Sequence, residues 1–82
     1  MWPFDVSERG LVELAARCSL APDWHAWPVR TTTARLRVAL VLDRVDVVQA
    51  LGFTMAGAFV RARLTPAEAL RVGELVRKSC AR

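Results

Sequence analysis

Apolar residues recur at three- and four-residue spacing near both ends of the chain, whereas in the middle they alternate with polar or small ones. The first periodic stretch predicts a helix from about Val6 to Leu20. Asp5 and Glu8 have the spacing of a capping box, Ser7 is a rival cap, and Leu11, Leu14, Ala15 and Cys18 form one apolar stripe that Pro22 ends. The last stretch opens with Thr65-Pro66-Ala67-Glu68, a capping box with proline at the first helical position. It predicts a helix to about Cys80, with Ala69, Val72, Gly73, Val76 and Cys80 inward and Arg71, Glu74 and Lys78 outward.

Between them the period is closer to two. From Arg35 the chain sets Arg35 and Arg37 on one side and Leu36, Val38, Leu40 and Leu42 on the other, after the strand-forming Thr31, Thr32 and Thr33. Phe53 to Leu64 alternates again, with Arg61 and Arg63 on one side. Both stretches therefore predict strands. Between them Asp43 caps a short helix, Arg44 to Leu51, that stops at Gly52, a residue suited to a left-handed C-terminal position. Helix, strand, short helix, strand, helix is an α+β order, with the terminal helices packed on a small antiparallel sheet. Two strands make a marginal sheet, so a third short strand or dimerisation through a sheet edge is expected.

Residues 46–63 also admit an all-α alternative. Val47, Val48, Ala50, Leu51, Gly52, Phe53 and Thr54 resemble the first helix and turn of the helix-turn-helix motif, and Thr65 to Leu70 resembles the helix that follows it in small repressors. The resemblance covers about half of the motif. In the second helix Ala58 and Arg61 stand where larger inward-facing apolar residues are expected, and Gly57 costs about 1 kcal/mol relative to alanine in a helix interior. A recognition helix beginning Met55-Ala56-Gly57-Ala58-Phe59 offers no Asn, Gln or Arg to read base edges.

Length and composition narrow the function classes. Eighty-two residues with 54% apolar and 24% charged side chains make a single globular domain, residues 1–82, with little room for an enclosed active site. The uncharged stretch Ala50 to Val60 is too short for a bilayer, and Met1 to Asp5 has no signal-peptide character. A cytoplasmic protein is expected. Cys18 and Cys80 are then free, small hydrophobes on helix stripes, and with His25 they show no paired spacing for a metal. The four glycines are too scattered for a phosphate loop, and no nucleophile has a neighbouring base. No reaction and no cofactor follow from these residues.

The net charge is +4, but Met1 to Val29 carries −2 and the rest of the chain +6. Such asymmetry marks a surface that meets an anionic partner. Eleven of the twelve basic residues are arginine, and Ile, Asn and Tyr are absent, the bias of a GC-rich genome, so part of the excess reflects codon supply. Arg35, Arg37, Arg61 and Arg63 could nonetheless line one patch if the two strands are neighbours, and guanidinium binds phosphate and carboxylate two oxygens at a time. Trp24 and Trp27, in the proline-bracketed loop Ala21 to Val29, either anchor a partner or fold back over the core, and the second use is the commoner one in small domains. The expected function is a non-enzymatic interaction module. It would act as an inhibitor or adaptor docking on an acidic protein or nucleoprotein surface through Arg35, Arg37, Arg61, Arg63, Trp24 and Trp27. Phage- or mobile-element-encoded inhibitors such as anti-CRISPR proteins share its size and its lack of chemistry. The alternative is a small helix-turn-helix DNA-binding regulator.

Overall fold

The computed structural model describes residues 8–80, and these form five α-helices and one short 3-10 turn. The helices are α1 (Glu8–Ser19), α2 (Thr32–Val41), α3 (Val45–Ala50), α4 (Met55–Ala62) and α5 (Pro66–Cys80), and the 3-10 turn is Trp24–Ala26. No strand occurs among the described residues. This overturns the α+β expectation, the sheet and any pairing through its edge, and leaves the all-α alternative. The radius of gyration is 11.5 Å.

The two segments expected as strands are helices for different reasons. On α2, Leu36, Val38, Ala39, Leu40 and Val41 are all buried, because α1, α3, α4 and α5 all pack against it. Contact with four helices spreads the buried positions around α2 and leaves Thr33, Arg35 and Arg37 only half-buried, so its apolar run loses the 3.6-residue period. The Thr31 hydroxyl caps α2 by accepting the Ala34 N–H at 3.2 Å, so the threonines begin the helix instead of continuing a strand. On α4 the buried side is Ala58 and Ala62 alone, one turn apart, and alanine brings α4 close to α2. Thr54 caps α4 by accepting the Gly57 N–H at 3.0 Å.

Three chain reversals share one device. Asp43 (φ 57°), Gly52 (φ 87°) and Arg63 (φ 53°) each hold a left-handed conformation just past a helix end. The amide that follows each of them returns to a carbonyl five residues back: Arg44 to Ala39 (2.8 Å), Phe53 to Val48 (3.1 Å) and Leu64 to Phe59 (3.1 Å). These are Schellman closures, which satisfy the last carbonyls of α2, α3 and α4 and keep the connections short. Gly52 behaves as its sequence position predicts. Asp43 does not cap α3, which has no side-chain cap; it closes α2 instead.

The terminal helices match their patterns. The Thr65 hydroxyl accepts the Glu68 N–H (3.1 Å), and the Glu68 carboxylate accepts the Thr65 N–H (3.0 Å). Ala69, Val72 and Val76 are buried, as are Leu11, Ala15 and Cys18 on α1. Gly73 lets α5 approach the end of α2, since a Cβ there would lie 2.9 Å from the Val41 carbonyl oxygen. The Asp5–Glu8 cap and the Cys80 side chain lie outside the described residues. Two clusters of three helices thus share α2: α1 and α5 complete one, α3 and α4 the other.

Candidate anion-binding site

Residues expected on one strand face take up two different positions. Arg37, on α2, sends its Nε–H to the Ala62 carbonyl at 3.3 Å and so ties α2 to the last turn of α4. Arg61 lies in that turn, and Arg63 is the left-handed residue that ends it. With Thr33, from the first turn of α2, the three arginines line a shallow pocket of about 340 Å³ that no carboxylate enters. Arg61 and Arg63 are exposed and form no ion pair among the described residues. Partial burial and then the neighbouring charge of Arg63 hold the Arg37 guanidinium below its ordinary pKa. The carbonyl end of α4 offsets part of that repulsion, since cations are favoured at a helix C-terminus.

Arg35 does not join them. Residues two apart on a helix point about 200° apart, so the strand pairing of Arg35 with Arg37 fails once α2 is helical. Arg35 Nε–H donates to the Val29 carbonyl at 3.2 Å, and its guanidinium lies 5.3 Å from the centre of the Trp24 ring. Trp27 is buried under the loop, its indole N–H bonded to the Ala21 carbonyl at 3.0 Å, while Trp24 is half-buried and stacks on His25. His25 shares a 2.9 Å contact with Asp23, which draws the Asp23 carboxyl below its usual range. The loop thus folds over the core, and neither tryptophan lines the arginine pocket. Thr33 is the pocket residue that strand reasoning missed, although its four-residue spacing from Arg37 is the signal of a shared helix face.

The turn Leu51–Thr54 joins α3 to α4, and both helices pack against α2. Outward on α4 stand Ala56, Val60, which is 78% exposed, and Arg61. Among the described residues no charged side chain is buried, and no group of His, Cys, Asp and Glu that could hold a metal occurs. No helix among them is long and apolar enough to cross a membrane. No protein-family model, curated protein or solved structure matches the chain.

The chemistry open to the pocket is anion recognition. Planar guanidinium groups can each give two parallel hydrogen bonds to phosphate oxygens, and an anion between them would relieve their mutual repulsion.

Proposed function

We propose that this chain is a non-catalytic helix-turn-helix domain that binds duplex nucleic acid chiefly through the phosphate backbone. The observation that carries the reading is the convergence of Arg37, Arg61 and Arg63, without a carboxylate, at the C-terminal end of the second helix of an α3–turn–α4 unit. In this reading α4 lies along a groove, its small outward residues Ala56 and Val60 allow close approach, and the arginines grip the flanking phosphates. Because neither of those two side chains can hydrogen-bond a base edge, affinity comes from charge and sequence preference is weak.

Duplex DNA titrated at a series of salt concentrations tests this. Three phosphate contacts give a slope of log affinity against log salt of about −2.7, and the double variant Arg61→Ser/Arg63→Ser reduces it to about −0.9. Absence of binding at low salt defeats the proposal. A second reading draws on the exposed Val60: α4 would dock on an acidic protein surface, with the arginines at the rim of an apolar contact. That reading stands only if the duplex is not bound, and it retains the inhibitor or adaptor role.

A further inference from the structure

The flank of α4 away from Arg61 faces a second depression of different character. Met55 and Phe59, one turn apart on α4, meet Leu40 and Leu42 at the end of α2 and Leu70 on α5 around an open groove of about 380 Å³. Leu70 is 62% exposed at its edge. The charged residues of the lining are Asp43 and Arg77, one acid and one base; both are exposed, and neither has an ion-pair partner among the described residues.

We infer that this groove is the contact between two copies of the chain related by a two-fold axis. An isologous interface must complement itself, so each patch needs both a projection and a recess and must carry charge that pairs with its own copy. The groove meets both conditions. Leu70 projects beside a recess walled by Met55 and Phe59, so the Leu70 of each copy can enter the recess of the other. Asp43 of one copy faces Arg77 of its partner, and the two-fold repeats that pair. A partner bearing a single sign of charge would meet one of the two rim residues as a like charge, whereas a second copy meets both as opposites. The contact is separate from the arginine pocket, which shares no residue with it.

Light scattering and sedimentation of the whole chain test the inference without reference to nucleic acid. The wild type should run at twice the chain mass, and Leu70→Glu, a change at an exposed position, should weaken dimerisation by about 30-fold or more while leaving the helical circular dichroism intact. The decisive arm uses Asp43→Arg and Arg77→Asp separately. Each homodimer then opposes two like-charged pairs and should fall to monomer, whereas an equimolar mixture restores two opposite pairs and should form a one-to-one heterodimer. Arg63 already holds the left-handed conformation that the arginine at position 43 must adopt. A monomeric wild type overturns the inference, as does a dimer indifferent to Leu70→Glu or a mixture that stays monomeric.

Discussion

Arg35 and Arg44 spend their guanidinium groups on the fold, while Arg61 and Arg63 leave theirs on the surface. Arg44 gives Asp46 two hydrogen bonds (3.0 and 2.9 Å), gives the Pro22 carbonyl a third (3.0 Å) and lies 5.7 Å from the centre of the Trp27 ring. It thereby fastens the tryptophan loop to the start of α3. Arg35 holds the other side of the loop through Val29 and Trp24. Arg37 belongs partly to each set, bonded to the scaffold through Ala62 and lining the pocket beside Thr33, Arg61 and Arg63. The basic excess of residues 30–82 is therefore not one functional quantity. What separates the sets is whether a carboxylate, a carbonyl or an aromatic face lies within reach of each side chain.

Removing a scaffold arginine should lower stability and spare binding. Arg44→Ala is expected to cost about 1–2 kcal/mol, from lost hydrogen bonds to a charged group and lost stacking. The check is a lower thermal midpoint with altered tryptophan fluorescence and unchanged affinity for duplex DNA. A pocket arginine should behave in the opposite way. Arg63→Gly relieves the left-handed conformation by about 1 kcal/mol, so the midpoint should rise while duplex affinity falls. A variant that loses both stability and affinity would erase the distinction between the two sets.

The smallest expected effect is a pH dependence confined to the scaffold set. Hydrogen bonding to Arg44 draws the Asp46 carboxyl below its ordinary value. A depressed carboxyl contributes stability that is complete above the unfolded pKa, about 3.9, and is lost as pH falls through the lower folded value. Wild type and Asp46→Asn should therefore differ in midpoint near neutrality and converge in acid below that value. The Arg61→Ser/Arg63→Ser variant should follow the wild-type acid profile, since neither residue pairs with a carboxylate among the described residues.

How far these features could be read in the chain depended on how local their causes are. Helix α5 is legible because its capping box and its stripe of Ala69, Val72 and Val76 lie within one segment. Gly52 is legible because only a few residues suit a left-handed helix end. Helix α2 is not legible: the four helices packed against it come from the rest of the chain, and the buried positions they create on several sides leave no single apolar stripe to reveal its period. Arg35-Leu36-Arg37-Val38 then imitates a strand. Helix α4 hides differently: its fully buried positions are the small residues Ala58 and Ala62, while its larger apolar residues Met55 and Phe59 are only half-buried. Three of the four arginines singled out do converge, although on a helix end and not on a sheet face. Only the period of two groups Arg35 with them.

Gly73 ties the core to the surface. The gap between α5 and the end of α2 is filled by a hydrogen atom at the one place where a methyl group would strike the Val41 carbonyl. Leu40, Leu42 and Leu70 line the apolar groove from those same two helices, so a side chain at position 73 would wedge the walls apart and change the width of the groove from beneath. The missing side chain acts as a calliper: a residue that contributes almost no surface of its own sets how much room an incoming leucine has.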